Sequence, residues 1–354
     1  MKKIPLLFIF LMQLTQAQVV RNYSNEFLNI GVDAASFGMG KAIVATSNDV
    51  NSIYWNPAGL VNVEDNQVAL MHAEYFKGIA KYDYVAYAKP IDNESTIAFS
   101  FIRFSVDDIL NTTQLIDSQG NINFDRISLF NASDMALHIG YAKHHLLKNF
   151  DFGMNAKIIH RRIGSFASSW GFGLDLGLQY QIKNYKIGLM LRDITTTFNA
   201  WNIDSDAFAS IRNAIPNQNQ EEPETLELTK PKAQFGVSRL FEFGHDYKLT
   251  TEIDLNMRFL KTNDLLATSF VSIDPAIGFQ LAYIDMIYLR GGVNNFQNHT
   301  EFNGDKSFSI EPNFGVGFKY NGIQVDYALS NIGGASGTLY SNVFSVKIDF
   351  GAFR

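Results

Sequence analysis

The sequence contains no cysteine in 354 residues. No disulfide can hold the fold together, and no lipidated cysteine can anchor it to a membrane. Proline is scarce, with 8 residues. Beyond the N-terminus no stretch approaches the roughly 18 apolar residues of a membrane-spanning helix. Basic charge is not in excess: 29 Lys and Arg stand against 35 Asp and Glu, for a net charge of −6. That balance argues against a nucleic-acid partner.

Catalytic signatures are also missing. The seven histidines are His72, His138, His144, His145, His160, His245 and His299. None forms an i, i+4 pair with a carboxylate between, as a helical zinc motif requires. His144-His145 reads as two solvated imidazoles in a turn. Gly171-x-Gly173-x-x-x-Gly177 alternates with Leu and Asp, which places it in a strand rather than a phosphate loop. Asp107-Asp108 and Asp117-Ser118-Gln119-Gly120 lack the spacing of an EF-hand and read as turn chemistry. No Gly-x-Ser-x-Gly occurs. The expectation is a protein that is not an enzyme, with no catalytic residues, no cofactor and no metal.

What the chain has in quantity is aromatic residues and glycine: 30 Phe, 15 Tyr and 26 Gly. These suit strands with lipid-facing girdles and crowded interiors. Residues 1–17 read as a signal peptide for the Sec pathway. Lys2 and Lys3 supply the positive end and Ile4–Met12 the apolar run. Thr15-Gln16-Ala17 is the cleavage site. Residues 18–66 do not alternate, whereas 67–354 alternate repeatedly.

The alternation has the period of a strand. Phe314, Val316, Phe318 and Tyr320 share one face against Gly315, Gly317 and Lys319. Leu249, Thr251, Ile253, Leu255 and Met257 oppose Lys248, Glu252, Asp254, Asn256 and Arg258. The same pattern recurs at 171–181, 322–330 and 343–351. Fourteen segments follow, at 67–76, 80–89, 95–104, 132–142, 150–163, 169–181, 184–193, 232–242, 246–257, 275–284, 286–295, 308–320, 322–330 and 340–351. Many have the ~9–11 residues of a tilted membrane strand. Every even-numbered link is short, as at Asn321-Gly322, a strong hairpin signal. The long links, at 105–131, 194–231, 258–274, 296–307 and 331–339, are all odd-numbered. Short periplasmic turns on one rim and long external loops on the other are the habit of outer-membrane barrels. The predicted fold is all-β, a transmembrane antiparallel barrel of about 14 strands, with Asp175, Lys186, Arg192, Glu252, Asp254, Lys319, Asp326, Lys347 and Asp349 in its lumen.

The N-terminal segment carries a specific resemblance. Gly31, Ala34 and Gly38-Met39-Gly40-Lys41-Ala42 are followed by Asn48-Asp49 and by Tyr54-Trp55-Asn56-Pro57-Ala58-Gly59-Leu60. With some fourteen strands behind it, this order resembles the FadL-type barrel superfamily. Within that superfamily, Tyr23 to Ala34 and the Tyr-Trp-Asn-Pro-Ala-Gly-Leu run are most similar to the PorV/PorQ family of Bacteroidota, nearest its PorV-like members. The resemblance implies that residues 18–66 fold into the barrel as a hatch, with Asn56, Pro57, Ala58 and Gly59 as its motif. From the residues themselves, Asp49 suits a helix cap, Pro57 forces extended backbone on Asn56, and Gly59 permits a turn.

The family is linked to type IX protein secretion. The resemblance therefore implies a non-catalytic barrel in the outer membrane, in contact with lipid and lipopolysaccharide. It would dock translocon subunits or the C-terminal signal domains of secreted cargo. The loop 194–231, with Phe198, Trp201, Phe208, Glu221 and Glu222, suits partner binding or folding over the barrel mouth. The alternative from the superfamily is a channel for hydrophobic small molecules, with Gly291-Gly292 as a strand defect opening a lateral exit or as simple packing relief.

Overall fold

The structure is a computed structural model that describes residues 24–76, 78–116, 119–147, 149–214, 224–300, 304–330 and 341–353. The expected signal peptide, and Glu221 and Glu222 of the expected binding loop, lie outside the described residues.

Fourteen strands form the wall: β1 (Gln67–Tyr75), β2 (Ala80–Pro90), β3 (Ser95–Asn111), β4 (Ser128–Leu147), β5 (Phe150–Ile163), β6 (Ala167–Ile182), β7 (Tyr185–Arg192), β8 (Lys232–Phe243), β9 (Tyr247–Arg258), β10 (Ser272–Tyr283), β11 (Ile287–Thr300), β12 (Lys306–Tyr320), β13 (Ile323–Ser330) and β14 (Ser341–Asp349). Each is antiparallel to its neighbours. β1 pairs with β14 from Gln67↔Asp349 to Glu74↔Asn342, which closes the cylinder.

The alternation faces the direction that lipid requires. On β9 Ile253 is 53% exposed, while Glu252 and Asp254 beside it are 1% and 0% exposed. On β12 Phe314, Val316 and Phe318 point outward while the glycines between them point inward. A water-soluble barrel would bury the first set and expose the second. One sector departs from this rule. Along β1 and β2 the inward residues Ala69, Met71, Ala73, Tyr75, Tyr82 and Tyr84 are apolar or aromatic. The outward residues include His72, Glu74, Lys81 and Asp83.

Two expectations are corrected. β3 and β4 run well past the predicted segments, to Asn111 and from Ser128, so they form a projecting hairpin. Asp107 therefore lies in a strand, 3.1 Å from Lys81 Nζ. Asp108 takes left-handed backbone (φ 56) where the β3–β4 register shifts between Val106 and Ile109. Next, the stretch 194–231 is not one free loop. Thr197–Ile203 pairs with the upper part of β6, and Leu226–Thr229 pairs with Thr197–Ala200. β7 stops at Arg192, too short to cover the upper part of β6, and this hairpin completes the wall there. Of the two readings of Gly291-Gly292, packing relief is the one that the pairing supports, and the strand defect is absent. Pairing runs unbroken through both glycines, and the register shift lies between Asn294 and Gln297.

Candidate functional site

The lumen holds residues 24–66, and the fit between this hatch and the wall is the most elaborate feature of the molecule. Its apolar side packs Phe27, Val32, Phe37, Ile53, Trp55 and Leu60 against the inward residues of β1 to β3. Trp55 Nε1 donates to Val32 O at 3.1 Å, and Tyr54 OH donates to Leu28 O at 2.6 Å, so the buried polar atoms of both rings are satisfied.

Its opposite side is backbone, and the wall there is notched to receive it. Gly153 and Gly177 face each other across β5 and β6. A Cβ on Gly153 would overlap the Pro57 and Ala58 backbone, and one on Gly177 would overlap the Asn56 side chain. Gly188 and Gly236, paired across β7 and β8, receive Val44-Ala45 in the same way. Gly278 and Gly292, paired across β10 and β11, receive Met39-Gly40. Each notch exists because two strands lack side chains at one level, which lets another backbone approach closely. This accounts for Gly292, which seats the hatch instead of opening the wall.

Asn56-Pro57-Ala58-Gly59 is brought together as one buried unit. Asn56 is extended (φ −160), as Pro57 demands, and a short 3-10 helix follows over Pro57–Asn62. Asn56 Nδ2 donates to Val44 O at 2.9 Å and to Leu178 O at 3.1 Å, and its Oδ1 accepts from Ala58 N at 3.2 Å. It ties the hatch to itself and to β6. Gly59 is needed for a different reason from the expected turn: a Cβ there would overlap Ser47 O. Asp49 does not cap the short helix Ser52–Trp55. Its Oδ1 accepts from Asn51 N at 2.8 Å instead. Asn56→Ala should cost the hatch ~1–3 kcal/mol through the unsatisfied carbonyls. The readout is faster tryptic cleavage after Lys41 in a barrel that keeps its folded mobility on gels.

Charged groups complete the anchorage. Asp254 Oδ2 accepts from Ile43 N at 2.8 Å and Val44 N at 3.1 Å, and Glu252 Oε1 accepts from Ala45 N at 2.6 Å. Arg192 donates to Tyr54 O at 2.8 Å and stacks over the Tyr54 ring at 4.6 Å. Lys157 binds Asp175 at 2.8 Å and Asp193 at 2.6 Å, all three buried. Arg290 binds Asp326 at 2.6 Å. In the hatch, burial pushes the Asp33 carboxyl up to about 6, with Asp326 and Asp49 adding repulsion. A carboxyl raised on folding costs stability above its folded value, and that cost disappears as pH falls toward its unfolded value. Lowering pH from 7.5 to 5 should therefore stabilise the folded protein by ~1 kcal/mol through this group. Comparison of urea midpoints in wild type and Asp33→Asn, whose side chain tolerates the local φ of 71, isolates the increment.

Two cavities flank the hatch. One of about 340 Å³ toward the long-loop rim is lined by Lys41, Arg192, Lys232, Arg258, Asp274 and Glu311 among others. The other, about 530 Å³ toward the short-turn rim, is lined by Lys183, Lys186, Lys248, Lys319, Asp49 and Glu242 among others.

The expected binding-loop residues do not form one surface. Trp201 turns inward, 5.2 Å from the Arg161 guanidinium, which also binds Asp134 at 2.9 Å and Glu227 at 3.2 Å. Phe198 points outward on the wall beside Phe172. Phe208 is half-buried on the helix Ser205–Ala214. The exposed apolar residues of the long-loop rim lie elsewhere: Phe124 at 71%, Ile122 at 60%, Leu266 at 60% and Phe270 at 72%. Exposed large apolar residues amid polar loops were the available signal in the sequence.

A family model described as "Type IX secretion system protein PorV" matches residues 13–181, which include the hatch with its notch motif and β1 to β6. Over that span the chain is similar to PorV-family sequences. Among solved structures, the toluene transporter TodX of P. putida is similar with a TM-score of 0.55 at 12% identity, covering 90% of this chain and 99% of that one. The CymD monoaromatic hydrocarbon channel gives 0.53 at 11% identity, covering 91% and 98%. At such identities the likeness is one of fold, the FadL-like fourteen-strand barrel. No curated protein matches the chain.

Proposed function

We propose that this PorV-family barrel is an outer-membrane docking protein of type IX secretion, which holds translocon subunits or the C-terminal signal domains of exported cargo. The observation that carries this reading is the family match over the hatch and the first six strands. Three features support it. The hatch is seated by backbone notches and buried ion pairs, a rigid filling suited to a body whose surface does the work. The projecting β3–β4 hairpin and the 259–271 loop present Phe124 and Phe270 to the outside. The outward charges on β1 and β2, with His72 2.7 Å from Asp83, sit beside the exposed Phe344 of β14. Charge on a lipid-facing wall is costly, and a protein neighbour relieves that cost. In this reading the first 17 residues direct export and are removed, the short turns face the periplasm, and lipid with lipopolysaccharide surrounds the rest of the wall.

A channel for hydrophobic molecules is the second reading, favoured by the shared fold alone. The charged lining of both cavities opposes it, since such a ligand needs an apolar pocket. Crosslinking from position 122, exposed on the same segment, separates the two in whole cells. Docking predicts capture of translocon or cargo proteins, reduced at least 5-fold by Phe124→Glu with Phe270→Glu, on the order of 1 kcal/mol. Recovery of neither class, with uptake of an aromatic hydrocarbon into vesicles, would replace docking by transport.

A further inference from the structure

The ends of β4 and β5, beside their short turn, hold a cluster that the barrel wall does not require. His144, His145 and Asp151 bring one ligand atom each to within 4.8 Å of one another. His144 Nδ1 lies 2.8 Å from Asp151 Oδ1. Consecutive residues of a regular strand point to opposite faces. Here the β4–β5 register slips between Lys143 and Leu147, and His145 takes left-handed backbone, φ 54. Few residues other than glycine adopt that conformation. The two imidazoles consequently stack on one side, 5.5 Å apart with 24° between their planes. The His144 amide donates to Glu94 O at 2.8 Å and braces this turn against the next one.

We infer that this cluster is a binding site for a divalent transition metal, zinc above all, held by two imidazoles and one carboxylate with a fourth position open. Nitrogen with carboxylate oxygen is a zinc donor set, and calcium would prefer oxygen alone. Ligand atoms around tetrahedral zinc lie roughly 3.4 Å apart, within small side-chain rotations of the observed spacing. His144 and Asp151 retain 27% and 24% side-chain exposure, so an ion reaches them from the rim without entering the lumen. Bound there, it would clip the ends of β4 and β5 together, two residues from the Gly153 notch. The site does not depend on the docking function.

The test uses the mature protein in detergent, purified without a polyhistidine tag and titrated with zinc chloride by calorimetry. One zinc ion per chain is expected, with affinity at least ~10-fold weaker in His145→Ala and in Asp151→Asn. His245→Ala, in a different short turn, should bind as wild type. Cobalt(II) should give the visible absorption of a four-coordinate site, lost in the same two variants. Folded mobility on gels confirms that each variant barrel is intact. Absence of saturable binding, or equal binding in all variants, would overturn the assignment.

Discussion

Gly153→Val will expel the Asn56-Pro57-Ala58 segment from the barrel wall. The atoms that a Cβ would meet are Pro57 C and O and Ala58 N, and backbone cannot rotate away as a side-chain tip can. Ordinary overpacking costs ~1–3 kcal/mol. Here the added bulk displaces a motif whose loss also breaks the Asn56 bonds to Val44 and Leu178. The hatch should leave its seat while the strand ladder survives, since Gly153 lies on the inner face and its strand hydrogen bonds are untouched. Planar-bilayer recordings should show new conductance steps, and trypsin should cut after Lys41 within minutes. Met154→Val, one residue along and facing outward, should do neither. A Gly153→Val protein as resistant and as silent as wild type would mean that the hatch does not sit in the notch.

Lys157→Met should be the most destabilising single change in the wall. Lys157 neutralises Asp175 and Asp193, and the side chains of all three are less than a tenth exposed. Asp193 also accepts from Thr197 Oγ1 at 2.5 Å, where the chain turns from β7 into the wall-completing hairpin. Removing the cation leaves two buried carboxylates facing each other, a loss of ~3–5 kcal/mol. The check is the urea midpoint for folding into lipid vesicles. Lys157→Met with Asp175→Leu and Asp193→Asn should recover most of the loss, because breaking an ion pair costs far more than replacing it. Equal midpoints for wild type and Lys157→Met would show that water already reaches the cluster.

Much of the wall was legible because its signal is local. The exterior of β9 and β12 is read from every second residue, and lipid on one side with charge on the other leaves no ambiguity of face. The links were legible in the same way, from Asn321-Gly322 and its counterparts. The run around Asn56-Pro57 stood out as a sequence pattern. Its seat was not visible, because a notch is made by Gly153 and Gly177 on different strands together with Pro57, far away in sequence. The hairpin Thr197–Ile203 with Leu226–Thr229 was hidden for a related reason. Its pairing to β6 depends on how early β7 ends, which no periodicity within 194–231 reports. The inward turn of Trp201 follows from Arg161 on β5, again a partner that only the closed barrel supplies. His144-His145 looked like a solvated pair because Asp151 stands on the next strand, and a register slip brings it across.

The most direct measurement is a nitroxide scan along β13 in lipid vesicles, one label at a time, with oxygen as the lipid-phase relaxing agent and a nickel chelate as the aqueous one. The account predicts high oxygen accessibility at Ile323, Val325 and Tyr327 and low values at Gln324 and Ala328, in strict alternation. The opposite phase, or nickel accessibility at the apolar set, would contradict it.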